Sequence, residues 1–126
     1  MIILDTSALI RYFVKDDLRK ASEVKKLIAT KKNIYIPDVV FPELEYVLTG
    51  SVYQRTREDV TKTFTFICAC DAMTVSSYIY RAVIYYEQSQ LDMADCIIAS
   101  VAHNENIASF DKKLIQVSEA SPVLKP

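Results

Sequence analysis

The chain opens on a short apolar run, Ile2-Ile3-Leu4, that breaks at Asp5, the pattern of a buried strand reaching its end. A short helix through Phe13 follows, with Thr6 or Ser7 as its cap. Apolar residues then recur at Leu18, Ala21, Val24, Leu27 and Ile28, the spacing of an amphipathic helix that Asn33 ends. Ile34-Tyr35-Ile36 followed by Pro37-Asp38 reads as a second strand running into a turn. The next helix reaches about Leu48, with Pro42 at its first turn or kinking it. Arg57 to Cys68 predicts a helix, Met73-Thr74-Val75 a strand, and Ser77 to Gln88 a tyrosine-rich helix whose aromatic residues read as core more readily than as a partner surface. Asp92 is expected to cap a helix that runs to about His103, apolar almost all round and therefore largely buried. Asn106 precedes a last strand, Ile107-Ala108-Ser109, and Asp111 follows it.

Strands that alternate with helices and are apolar on both faces predict an α/β fold. The expected form is a three-layer α/β/α sandwich with a central parallel sheet, in a single domain over residues 1–126. In such sheets the functional crevice lies beyond the carboxyl ends of the strands, where both Asp5 and Asp111 fall.

Composition narrows the chemistry. Gly50 is the only glycine, so no glycine-rich loop can bring backbone amides against a nucleotide's phosphates. His103 is the only histidine, which leaves no ligand set for a structural zinc and no histidine pair for a nuclease. Three cysteines (Cys68, Cys70 and Cys96) are an odd number, and Met1 to Asp5 does not read as a signal peptide, so a reducing, cytoplasmic setting is expected. No apolar stretch is long enough to span a bilayer. The net charge of -1 gives no general attraction to nucleic acid, so any such site must be local. Basic residues do gather between Lys15 and Lys32, a stretch that by itself reads as a solvated helix face more readily than as a phosphate track.

The candidate chemistry lies in acids. Taken singly, each has a structural explanation: Asp5 as a helix cap, Glu43 as a first-turn complement to a helix dipole, Asp95 as part of a capping arrangement after Asp92, Asp111 as a turn residue. Their apolar context points elsewhere. Asp95 shares a helical face with Ile98, Ala99 and Ala102 and is expected to point inward, and Glu43 lies near Val47 on its helix. Carboxylates that converge in such surroundings repel one another and call for a hard cation with oxygen ligands, Mg2+ or Mn2+. That chemistry suits attack of water on a phosphodiester.

In order along the chain, Ile3-Leu4-Asp5-Thr6-Ser7-Ala8-Leu9-Ile10, Pro42-Glu43-Leu44, Ala94-Asp95-Cys96-Ile97-Ile98-Ala99 and Ala108-Ser109-Phe110-Asp111 resemble the acidic motifs of PIN-domain nucleases, and most of all the small stand-alone toxins of VapC type. The resemblance covers residues 1 to about 115. It implies magnesium-dependent RNA cleavage, frequent homodimers and, for a toxin, a small antitoxin protein as partner. By matching position it makes Asp5, Glu43, Asp95 and Asp111 the metal-site acids, with Asp92 either a fifth acid or only a helix cap. Thr6, Ser7 and Ser109 would supply hydroxyls that hold water or carboxylate oxygens, and Arg11 and Lys112 would hold substrate phosphate. Asn106 stands where members often carry glycine and is the next most suited residue to a left-handed backbone.

Other readings of the same acids remain. A haloacid dehalogenase-type phosphatase with Asp5 as nucleophile expects a second acid where Ser7 stands, and a phosphorylation-receiver domain expects an acidic neighbour that Asp5 lacks. A housekeeping PIN nuclease without an antitoxin and a binding module with a dead site complete the alternatives.

Overall fold

Short strands and helices alternate along the chain in a computed structural model that describes residues 1–125. The order is β1 (Ile2–Ile3), α1 (Thr6–Val14), α2 (Leu18–Thr30), β2 (Ile34–Tyr35), α3 (Val40–Thr49), α4 (Arg57–Ala69), β3 (Met73–Thr74), α5 (Ser77–Gln88), α6 (Met93–Ala102), β4 (Asn106–Ile107), α7 (Lys112–Ser118) and β5 (Ser121–Pro122). The chain divides into two compact units, Met1–Ser76 and the part from Ser77 onward. Every strand pairing among the described residues is parallel. The architecture is the expected α/β type.

In the first unit the sheet order is β1-β2-β3. Two helices cross between each successive pair of strands. Ile2 and Leu4 donate backbone N–H groups to Asn33 and Tyr35, and Ile34 and Ile36 donate in the same way to Ala72 and Thr74. Ile34 and Ile36 are fully buried, as the apolar run predicts for a central strand. Phe41 of α3 and Phe64 of α4 close the core with ring centroids 5.3 Å apart. Helix α1 is capped by Asp5, and not by Thr6 or Ser7 as expected, because the Asp5 carboxylate reaches the N–H of Ala8. Pro42 sits in the first turn of α3, where its missing N–H costs no helical bond. The basic face of α2 is solvated: only Ala21 of that helix is buried.

In the second unit α6 packs against α5 and α7, and β4–α7–β5 forms a compact parallel crossover. Helix α7 and strand β5 were not expected. Pro122 is tolerated in β5 because the N–H groups that face β4 belong to its neighbours: Ser121 donates to Glu105 and Val123 to Ile107. Three expectations are corrected here. Helix α6 is not buried all round, since Ile98 and Val101 are each about half exposed while Cys96, Ala99 and Ser100 form its packed side. Of the tyrosines of α5 only Tyr86 is core, with Tyr78 and Tyr80 exposed. The left-handed residue before β4 is Asn104 (φ 61°), two positions earlier than Asn106, which lies in the strand itself.

Candidate active site

The first unit carries a cleft of about 520 Å³ at the carboxyl ends of β1 and β2. Asp5, Thr6, Ser7 and Arg11 of the β1–α1 segment line it together with Glu43 and Tyr53. Its position follows from the fold, because α1 starts immediately where β1 stops and Asp5 is the residue that joins them. The Oδ1 atom of Asp5 accepts the Ser7 hydroxyl at 2.8 Å and the Ala8 N–H at 3.1 Å. These bonds favour the ionised form, and the Asp5 carboxyl lies below its ordinary range, the Ala8 bond contributing most and the Ser7 hydroxyl next. Glu43 stands in the first turn of α3, whose N-cap Val39 offers no side-chain cap, so its charge complements the bare helix end.

In the second unit Asp92 caps α6 through the N–H of Asp95 at 2.9 Å, and Asp111 caps α7 through the N–H of Leu114 at 3.1 Å. The Ser109 hydroxyl accepts the Asp111 N–H at 3.0 Å and fixes the approach to that helix. Asp95 is half-buried, and its carboxyl is pushed above the ordinary range by desolvation first, then by the charges of Asp92 and Asp111. Asp95 thus feels the charge of both other aspartates of this unit. Lys112, the first residue of α7, is exposed beside Asp111.

The expectation that these acids are buried needs correction. Asp5, Glu43, Asp92 and Asp111 are exposed and only Asp95 is partly withdrawn, because each stands at a helix start on the surface. The capping roles weighed from sequence are real for Asp5 and Asp92, and Asp111, read as a turn residue, caps a helix as well. Capping does not exhaust them. Each cap uses Oδ1 alone, and among the described residues Oδ2 of all three accepts no hydrogen bond, nor does either oxygen of Glu43 or Asp95. No group of three or more His, Cys, Asp or Glu side chains among the described residues is drawn together tightly enough to hold a metal as it stands.

The PIN-domain family model matches residues 2–120, which takes in both compact units and every one of these acids. The chain belongs to the PIN-domain family. PIN domains generally cut nucleic acid and typically use divalent metal ions, so the coarse activity supported for this PIN domain is that of a nuclease. No curated protein and no solved structure matches it significantly. No helix among the described residues is long and apolar enough to cross a membrane.

Two features of this PIN domain were not read from sequence. One oxygen of Asp38, between Pro37 and Val39 of the cleft wall, is buried with no hydrogen-bond partner among the described residues. Arg11 is gripped by Asp16, which in turn accepts the phenol O–H of Tyr53. No local pattern links positions so far apart in the chain.

Proposed function

We propose that this PIN domain is a magnesium-dependent endoribonuclease that hydrolyses RNA phosphodiester bonds, and that it is the toxin of a toxin-antitoxin pair. The uncommitted carboxylate oxygens carry the reading. Asp5, Asp92 and Asp111 each spend one oxygen on a helix start and keep the other, and Glu43 and Asp95 keep both. Such a set offers hard oxygen donors only, which fits Mg2+ or Mn2+ and does not fit zinc or copper. The raised Asp95 carboxyl points the same way, since its neighbours supply like charge and no counter-charge.

Asp5, Glu43, Asp95 and Asp111 would hold the ion or ions, with Asp92 as a further ligand. A bound divalent ion supplies positive charge to phosphate oxygens and acidifies water. The remaining roles belong to the chain itself. Ser7 and the Ala8 N–H keep Asp5 ionised and oriented, Ser109 steadies the backbone under Asp111, and Thr6 adds a hydroxyl to the cleft wall. Arg11 and Lys112 contact substrate phosphate. A phosphatase that uses Asp5 as nucleophile has weak support, because Ser7 stands where its second acid belongs and is already bonded to Asp5.

The toxin role, a small antitoxin partner, a homodimer and a cytoplasmic setting rest on the motif resemblance. Incubating the purified protein with total RNA, with and without magnesium, tests the activity: cleavage only with the metal is expected, and intact RNA under both conditions overturns it. Expression of the free protein tests the role. Growth arrest that depends on Asp5 is expected, whereas harmless expression of an active enzyme favours a housekeeping nuclease.

A further inference from the structure

The first unit holds a charged network that the acids do not explain. The Arg11 Nη1 atom donates to both oxygens of Asp16, at 2.9 and 3.0 Å, and the Tyr53 hydroxyl donates to Asp16 Oδ2 at 2.9 Å from 37 residues away. All three residues are held from behind. Lys15 ends α1 in a left-handed conformation (φ 60°) with its N–H on the Arg11 carbonyl, and Asp17 caps α2, so Asp16 is fixed between two helix ends. Tyr53 sits in a turn after α3 closed by bonds from Gln54 N–H to Gly50 and from Arg55 N–H to Leu48, both at 2.8 Å. The turn begins at the sole glycine, where a Cβ would press on the Tyr46 carbonyl at 3.2 Å. The Asp16 carboxyl lies below its ordinary range, held down by the Arg11 bond first and the Tyr53 bond second.

An ion pair this exposed adds little to stability, so folding alone gives little reason for a third residue to brace it. Its position suggests another purpose. Arg11 and Tyr53 line the same cleft as Asp5 and Glu43, and Arg11 and Ser7 also line a groove of about 380 Å³ that carries Arg19, Lys20 and Glu23, with Arg19 donating to Glu23 at 2.8 Å and Lys20 lying 4.0 Å from Asp17. Left to itself, a guanidinium on that wall would be drawn onto the carboxylates of the cleft and would neutralise them. The grip on Nη1 prevents this and leaves the N–H groups of Nη2 and Nε without a hydrogen-bond partner among the described residues. Those donors form the planar fork that suits a phosphate.

We propose that Asp16 and Tyr53 are positioning residues that hold Arg11 off the catalytic acids and present it to an RNA phosphate where the acidic cleft meets the α1–α2 groove. An RNA strand then leaves the acids past Arg11 and continues toward Arg19 and Lys20. This rests on the ribonuclease reading above and adds a path and two residues to it.

The test is cleavage of a single-stranded RNA oligonucleotide in saturating magnesium over a salt series, for wild type, Tyr53→Phe, Asp16→Asn, Arg11→Met and the double variant Tyr53→Phe/Arg11→Met, with circular dichroism to check the fold. Loss of one such hydrogen bond should raise KM roughly 3- to 10-fold in Tyr53→Phe, more than it lowers kcat. Arg11→Met should flatten the salt dependence by about one phosphate contact. In that background Tyr53→Phe should add nothing, because the residue it positions is gone. Asp16→Asn should move KM in the same direction as Tyr53→Phe, which covers the case in which the tyrosine variant folds poorly. Wild-type KM in both Tyr53→Phe and Asp16→Asn, or an equal Tyr53→Phe effect with and without Arg11, overturns the positioning role while leaving the nuclease standing. A wild type that cuts no RNA overturns both.

Discussion

Asp92 accepts the backbone N–H of Asp95 at 2.9 Å, so α6 begins on a carboxylate whose charge also opposes that of Asp95. The same residue therefore supports the helix and strains the acid that the helix carries. The two effects separate by substitution. Asp92→Asn keeps a cap and removes the charge, whereas Asp92→Ala removes both, at a cost of about 1 kcal/mol typical of a lost cap. If Asp92 is a ligand, Asp92→Asn should lower cleavage severalfold while thermal melts stay at or above wild type. Full activity in Asp92→Asn, with a lower melt in Asp92→Ala only, would reduce Asp92 to a cap.

Asp95 gives the clearest stability signature. Its carboxyl is raised in the folded protein by desolvation and by Asp92 and Asp111, so folding favours its protonated form. That contribution is fully present below the unfolded value and is lost as pH rises through the folded one, which leaves a penalty at neutral pH. In chelator at neutral pH Asp95→Asn should melt higher than wild type, and the gap should close as the pH falls into the carboxylate range. Magnesium should stabilise wild type by mass action and the variant much less. A variant that melts lower in chelator and gains as much from magnesium would make Asp95 structural.

Ser7 acts through Asp5 in the opposite sense. Its hydroxyl is the second cause of the lowered Asp5 carboxyl, after the Ala8 N–H. The stability this confers is present above the unfolded value and lost as pH falls through the folded one. Ser7→Ala should bring Asp5 back toward its ordinary range, so the acid limb of the pH–rate profile should shift to higher pH. The shift should vanish in an Asp5→Asn background if any residual activity is measurable there. An acid limb unmoved by Ser7→Ala would detach Asp5 from that limb.

Much of the element order was legible because each long helix announces itself twice, by apolar period and by its ends. Ser77 to Gln88 emerges with its observed bounds, and Asp92 is the cap that the sequence indicates. What escaped was short or depended on distant partners. Helix α7 has only seven residues, too few to show a period, and β5 contains Pro122, which reads as a breaker until the direction of the neighbouring N–H groups is known. Periodicity placed Asp95 on a face with Ile98 but not how deep that face lies, and Ile98 is half exposed. At the candidate site the residue types and spacings were readable, since strand ends and helix starts are local. The Arg11–Asp16–Tyr53 network was not, because nothing near Asp16 names Tyr53 as its partner.

The central claim is that Asp5, Glu43, Asp95 and Asp111 serve a metal-dependent cleavage of RNA. The most direct measurement is the rate of cleavage of a single-stranded RNA in magnesium by wild type, Asp5→Asn, Asp95→Asn and the double variant, each shown to be folded. Asparagine keeps the shape and, at position 5, the cap to Ala8, so lost activity would report lost charge. Each single variant should lose nearly all activity, and the double variant should be little worse than either, as for residues that act as a unit. Wild-type rates in either single variant, or losses that simply multiply in the double, would contradict the account.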